Sequence, residues 1–333
     1  MPKVLFVGDI HPDGHRLFDS RPEFERVLFK DPKPADLLEV IPEAEAIVLR
    51  KLHLGSETLA KAERLKMVSR HGVGYDNVDV DHLTRFGIPL LTVGDANAAS
   101  VAEHAMMMIL AAARRLPACM ELVRTAEGGA GREEFLVARD EVGTMELANK
   151  SILIVGFGRV GRRLAKLASA FDMKVVVADP FVEPRLPESF GFRHVGGFEE
   201  AMEAVDCIVL CLPAKAGDAP LFGKSQFARM KKGALFVNVA RGSLVDEGAL
   251  ADAVEQGHLL SAGTDVWHEL PPGPDHRFMS LPNMIVTPHC AAHTDACLSR
   301  MAVISVQNVF DFFDGKAKRE LCVNPEAINT VGI

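Results

Sequence analysis

Ser151-Ile152-Leu153-Ile154-Val155-Gly156-Phe157-Gly158-Arg159-Val160-Gly161, running on through Leu164, Ala165 and Leu167, is the stretch on which the fold turns. A short apolar run stops at a glycine, and the apolar spacing then changes from that of a strand to that of a helix. A Gly-x-Gly-x-x-Gly in that setting is a dinucleotide fingerprint, because each glycine has its own task. Gly156 permits the tight turn, Gly158 lets the backbone approach a pyrophosphate, and Gly161 lets helix and strand pack closely. The phosphates would rest on the free N–H groups and positive end of the helix, with Phe157, Arg159 and Val160 completing the cradle.

The next apolar run, Lys174 to Ala178, leads into Asp179, 18 residues beyond Gly161. A carboxylate there accepts hydrogen bonds from ribose hydroxyls and repels a 2′-phosphate. Pro180 and Phe181 follow with no Arg beside Asp179, which favours NAD over NADP as cofactor.

Outward from this unit the pattern repeats. Strands are predicted at Cys207 to Cys211, Ala234 to Val239, Leu260 to Asp265 and Asn283 to Thr287, making six with the two above. Upstream, Lys3 to Val7, Ala46 to Leu49, Lys66 to Ser69 and Pro89 to Thr92 alternate with helical segments. Both series describe α/β folding with doubly wound parallel sheets. A long helix is predicted from Ser100, with Ser100 and Glu103 as a capping box, and another over Asp295 to Asp314. Glu121 to Leu147 is polar and Gly-rich without a sustained period, and reads as a loop or arm.

The 333 residues are long for one core, so two domains are expected. The net charge of −8, without a basic aromatic face, argues against nucleic acid as a partner. No apolar stretch reaches membrane-spanning length and no signal-peptide layout opens the chain, so a cytoplasmic location and no membrane partner are expected. Six cysteines lie scattered without CxxC pairs or metal spacing, and neither a metal nor disulfides are expected.

Arg241, Asp265 and His289 each fall at or just beyond a predicted strand end, the edge where ligands bind in open α/β sheets. Reduction of a 2-keto acid needs a cation for the carboxylate and developing oxyanion, and an acid for the oxygen as hydride arrives. Arg241 can supply the first and His289 the second. Each also has a plainer reading, as a surface ion pair or a loop residue.

With these residues in place, the chain resembles the D-2-hydroxyacid dehydrogenases over nearly its whole length. The resemblance rests on Gly72-Val73-Gly74-Tyr75-Asp76-Asn77-Val78-Asp79, Asn97 with Ser100-Val101-Ala102-Glu103, the glycine triad, Val237-Asn238-Val239-Ala240-Arg241-Gly242, Asp265-Val266-Trp267 and Thr287-Pro288-His289. It implies a flavodoxin-like substrate domain of residues 1–98 and 294–333, a Rossmann NAD-binding domain of residues 99–293, and a dimerisation arm at about 115–150. By the same resemblance Arg241 binds the substrate carboxylate and carbonyl, and His289 donates and accepts the proton. Backbone N–H groups of Val73 and Gly74 hold the carboxylate, Asn97 and Arg50 lie near substrate, and Asp265 binds the nicotinamide carboxamide. Cys211, Leu212, Pro213, Val239 and Ala240 join the cofactor contacts. A homodimer acting on a small 2-hydroxy or 2-keto acid is expected, of the phosphoglycerate, hydroxypyruvate or glyoxylate type. No effector-binding domain beyond Ile333, of the kind in the longer phosphoglycerate dehydrogenases, is expected.

One departure touches the chemistry. Most of the family carries, five residues after the Asp and before a Pro, a Glu that pairs with the catalytic His; here Leu270 precedes Pro271. Loss of that carboxylate leaves an imidazolium less favoured near neutrality. Glu269 reaching in from one residue earlier is the preferred explanation, ahead of another acid or an altered catalyst. Formate dehydrogenases, which transfer no proton, tolerate a non-acid there. Near the substrate the family's Arg-Ser-x-Thr becomes Arg50-Lys51-Leu52-His53, and its Pro-x-x-x-x-Thr becomes Pro213 with Asp218, so substrate identity cannot be copied from one relative. The competing reading is an NAD(H)-sensing, corepressor-like protein with little turnover.

Overall fold

A computed structural model describes residues 1–126, 131–214, 217 and 219–330. Asp218 lies outside the described residues. The chain divides into two compact units, Met1–Asn97 with His293–Ile333, and Ala98–Ala292.

The first unit holds β1 (Lys3–Val7), β2 (Glu25–Phe29), β3 (Ala46–Leu49), β4 (Met67–Arg70) and β5 (Leu90–Leu91). They form a parallel sheet in the order β2-β1-β3-β4-β5, the flavodoxin-type winding. β2 escapes sequence reading because its residues, Glu-Arg-Val-Leu-Phe, are only half-buried at the sheet edge. β3 is apolar at every position and β1 at every position after Lys3, because both faces are covered. Leu5, Val7, Ile47 and Leu49 pack with Leu37 and Leu83 on one side. Val4, Phe6, Ala46 and Val48 pack on the other against Ala302, Val306, Val309 and Phe310. The latter belong to the Asp295–Phe313 helix, whose first turn is capped by the Thr294 side chain accepting from the Cys297 N–H.

In the second unit β6 (Ser151–Val155), β7 (Lys174–Ala178), β8 (Arg193–Val195), β9 (Cys207–Leu210), β10 (Ala234–Asn238), β11 (Leu259–Thr264) and β12 (Met284–Val286) make a parallel sheet. The order is β12-β11-β10-β9-β6-β7-β8, a Rossmann winding whose direction reverses between β6 and β9. There are seven strands rather than the six expected. The extra one, β8, is three residues long at the sheet edge and carries Arg193 and His194, too short and polar to announce itself.

Two local expectations are corrected. The Ala98–Ala113 helix begins two residues before Ser100, so Ser100 and Glu103 lie within its first turns and form no capping box. Ser100 is buried there with Val101, Ala102 and Ala105, so the packed face extends further toward the N-terminus than the capping signature suggests. The stretch read as a loop holds two helices, Leu116–Ala126 and Arg132–Glu141. Neither has a strongly buried stripe: Leu116, Met120, Val123 and Val137 are all exposed, so helical apolar spacing is weak in the sequence although the backbone is helical.

Candidate active site

The last residues of six strands in the seven-stranded sheet stand side by side in register: Ala178, Val155, Leu210, Asn238, Thr264 and Val286. At about 4.8 Å between neighbouring strands, the residues that follow them share one edge. Those are Asp179, Gly156, Cys211, Val239, Asp265 and Thr287. Six separate strands therefore bring the sequence-derived candidates of this unit to one line.

At the centre Gly156 has φ +98°, and a Cβ there would press on the Cys211 carbonyl at 2.8 Å. A Cβ on Gly161 would collide with the Gly156 carbonyl oxygen, whereas one on Gly158 would meet nothing within 4 Å. Gly161 is thus needed for helix-on-strand packing, and Gly158 leaves open space where a pyrophosphate approaches. Gly158 also caps the Arg159–Ala170 helix. Asp179 fastens this turn by accepting from Phe157 N–H at 2.8 Å and from Phe181 N–H at 2.9 Å. Pro180 is exposed beside it, and Cys211, Leu212 and Pro213 follow β9 on the opposite side of β6. Burial pushes the Cys211 thiol up to about 12, and raises that of Cys207 as well, which makes both inert at neutral pH.

Arg241 is carried by a built turn. The Asn238 side chain, 1% exposed, donates to the Arg241 carbonyl at 2.8 Å and accepts from Ala240 N–H at 3.0 Å. Gly242 has no room for a Cβ against the Trp267 backbone, and Arg241 Nη1 donates to the Ala240 carbonyl at 2.7 Å. In the sequence Asn238 is visible only as part of a motif, yet its buried amide shapes the segment bearing Arg241.

Asp265 is 1% exposed. Its Oδ1 accepts from Thr287 Oγ1 at 2.6 Å and from Cys290 N–H at 2.8 Å, and its Oδ2 accepts from Ala291 N–H at 2.9 Å. Three donors thus meet the two oxygens of this buried carboxylate. His104, which sequence reading passed over, lies on the Ala98–Ala113 helix with Nε2 3.0 Å from Thr287 Oγ1 and 3.5 Å from Asp265 Oδ1. Only its apolar neighbours at helical spacing were legible. Trp267 Nε1 donates to the Thr287 carbonyl at 2.9 Å, so the segment leading to His289 is held on both sides. His289 itself is exposed, with φ +56°, a left-handed conformation unusual for a non-glycine residue.

The neighbouring loop is pinned through Glu247, which accepts from His268 N–H at 2.9 Å and lies 3.1 Å from His276 Nε2. Leu270 is 57% exposed. Glu269 is exposed too, and among the described residues no hydrogen bond or ion pair joins it to His289 or to any other side chain. The structure does not bring that expected pair together.

In the first unit, Phe29, Val7, Leu49 and Arg70 end their strands in register, which places Arg50 and His71 on one edge just ahead of Gly72, Val73 and Gly74. Arg50 Nη1 donates to the Asp9 carbonyl. Arg70 Nη1 donates to the carbonyls of Leu49 at 3.1 Å and His71 at 2.9 Å. Asn97 is half-buried at the end of this segment. His71 is 4% exposed, and its Nε2 has no hydrogen-bond partner among the described residues. Burial, followed by the charge of Arg50 and then Arg70 and His293, pushes its imidazole down to about 3, so it is neutral at physiological pH.

With this geometry in view, comparison with known proteins is informative. Residues 106–291 match the model of the D-isomer specific 2-hydroxyacid dehydrogenase NAD binding domain. A D-3-phosphoglycerate dehydrogenase of Archaeoglobus fulgidus is 35% identical over 281 residues, 84% of this chain and 51% of that protein. The chain thus spans about half the length of the phosphoglycerate dehydrogenases it matches. A glyoxylate reductase of Aeropyrum pernix is 30% identical over 332 residues, 98% of this chain and 97% of that one. Among solved structures, D-lactate dehydrogenase from Aquifex aeolicus complexed with NAD and lactic acid aligns with TM-score 0.82 and 26% identity, covering 96% and 99% of the two chains.

Proposed function

The chain belongs to the D-isomer specific 2-hydroxyacid dehydrogenases, and from that premise we propose that it transfers hydride between NAD and C2 of a small 2-hydroxy or 2-keto acid. The observation that carries this reading is the single register row that sets the glycine turn, Asp179, Asp265 and the segments bearing Arg241 and His289 on one sheet edge. Bound NAD supplies the hydride acceptor and, when reduced, the donor.

The protein's own groups do the rest. The glycine turn and the N–H groups of the Arg159–Ala170 helix would hold the pyrophosphate, Asp179 the adenosine ribose, and Asp265 the carboxamide. Arg241 neutralises the substrate carboxylate and polarises the carbonyl. His289 gives a proton to the carbonyl oxygen on reduction and takes it back on oxidation. The charge of Arg50 at the end of β3 supports recognition of a second anionic group, and so a phosphorylated or dicarboxylic 2-keto acid over glyoxylate. The exposed Leu116, Met120 and Val123 support a homodimer in which this arm is covered by a second copy.

A panel of glyoxylate, hydroxypyruvate, pyruvate, phosphohydroxypyruvate and a branched 2-keto acid, each with NADH and NADPH, tests the proposal. NADH-dependent turnover on at least one is expected. The exposure of Leu270 and the separation of Glu269 from other side chains favour one rival, an NAD(H) sensor with little turnover. Tight NADH binding with no turnover on any acid would select it.

A further inference from the structure

His104, Asp265 and Cys290 come from a helix, the end of β11 and the turn after β12, yet their ligand atoms lie within 4.8 Å of one another. Gaps of 161 and 25 residues separate them, so no local spacing announces the cluster. One imidazole nitrogen, one carboxylate oxygen and one sulfur are the donor set of a borderline-soft divalent ion.

Thr287 supplies a fourth atom. His104 Nε2, Thr287 Oγ1 and Asp265 Oδ1 form a triangle with sides of 3.0, 2.6 and 3.5 Å. A point about 2 Å from all three exists about 1 Å off their plane, and about 2 Å is the distance zinc takes to nitrogen and oxygen ligands. His104 and Cys290 are half-buried rather than sealed, whereas Asp265 is fixed by two backbone N–H groups. The donors are therefore both accessible and held in place before any ion arrives.

We propose that His104, Asp265 and Cys290, with the Thr287 hydroxyl, form a binding site for a zinc-like divalent ion that competes with the nicotinamide cofactor. In the metal-free state the Thr287 proton points to Asp265, so the Nε2–H of His104 is the donor to Thr287. Metal binding requires the neutral imidazole to carry its proton on Nδ1 instead, and the Cys290 thiol to release one proton to solvent as the metal–sulfur bond forms. No electron moves. The competition rests on the role proposed above for Asp265, because an ion bound to that carboxylate removes it from the carboxamide; the metal site does not depend on that role.

Cobalt(II) and zinc(II) titrations of the full chain, stripped of cofactor, separate the two claims. One equivalent of cobalt is expected to give the thiolate-to-cobalt charge-transfer band and the visible bands of a four-coordinate ion, both displaced by zinc. Cys290→Ser should abolish the charge-transfer band, His104→Gln should weaken binding at least about tenfold, and Cys119→Ser on the exposed arm should change nothing. Absence of the band, or its survival in folded Cys290→Ser, overturns the site. NADH fluorescence then reads the competition: zinc should raise the apparent Kd for NADH in the native chain and not in Cys290→Ser. Simultaneous binding of both overturns the competition alone, and failure of NADH to bind at all refutes the dehydrogenase reading while leaving the metal site standing.

Discussion

The two sheet edges are assembled from the same kind of parallel strand, and they treat charge in opposite ways. At the edge of the seven-stranded sheet each functional carboxylate is tied to backbone: Asp179 to the N–H groups of Phe157 and Phe181, Asp265 to those of Cys290 and Ala291. At the edge of the five-stranded sheet Arg50 and Arg70 gather near His71, which burial and their charge hold neutral. On the proposed function, the first arrangement would fix acids for the hydroxyl and amide groups of a dinucleotide, and the second would offer positive potential to an acid substrate. The same fold class would then serve a constant ligand on one edge and a variable one on the other.

His289→Asn is the largest way to break the comparison, because it removes the proposed proton donor from the cofactor edge without touching either sheet. Turnover of a 2-keto acid should fall roughly 10²- to 10⁴-fold, while NADH binding followed by fluorescence stays nearly unchanged. Unaltered turnover would move the proton transfer to another group.

His71→Gln tests the electrostatics of the other edge. The folded-state value of about 3 lies below that of an exposed imidazole, so between the two the unfolded chain binds the extra proton. Stability from this group is therefore complete above about pH 6.5 and falls as the pH drops toward 3, by about 1.4 kcal/mol per unit across the middle of that window. Urea midpoints measured from pH 7 to 4 should show the native chain losing stability more steeply than the variant, whatever the variant's stability at pH 7. Parallel slopes would mean that His71 titrates normally.

How much of this could be read beforehand differs between the edges for a physical reason. A strand, a glycine turn and a helix start are consecutive in the chain, so Gly156, Gly158, Gly161 and Asp179 carry their own signature. Val239 to Gly242 does the same, because Asn238 and Ala240 build the Arg241 turn locally. The burial of His71 and its contact with the charges of Arg50 and His293, like the partners of His104, come from residues distant in sequence, and no spacing reveals them. β2 and β8 were missed because edge strands need not be apolar, and the arm was misread because its helices bury little.

Arg50→Gln sharpens the division of labour between the edges. Should the five-stranded edge select the acid, KM for a 2-keto acid with a second anionic group should rise about tenfold, the loss of one charge-assisted contact, with kcat and the KM for NADH little altered. Glyoxylate, which has no second anion, should react as before. An equal rise for both acids would place Arg50 on the shared carboxylate instead.

Glu269→Gln carries the smallest expected effect and bears on a departure from the family pattern that touches the chemistry. Leu270 occupies the position at which most relatives have an acid, and Glu269 beside it is exposed, with no side-chain partner among the described residues. An exposed carboxylate in high dielectric contributes little to a neighbour's protonation. The reductive pH profile of the variant should therefore match that of the native chain to within about twofold at every pH, a difference below about 0.5 kcal/mol. A profile whose alkaline fall-off moves to lower pH in the variant would show that the loop carrying Glu269 closes onto His289 during turnover. The cofactor edge would then be completed by a movement of that loop, and the contrast between a fixed edge and a selective one would have to be redrawn.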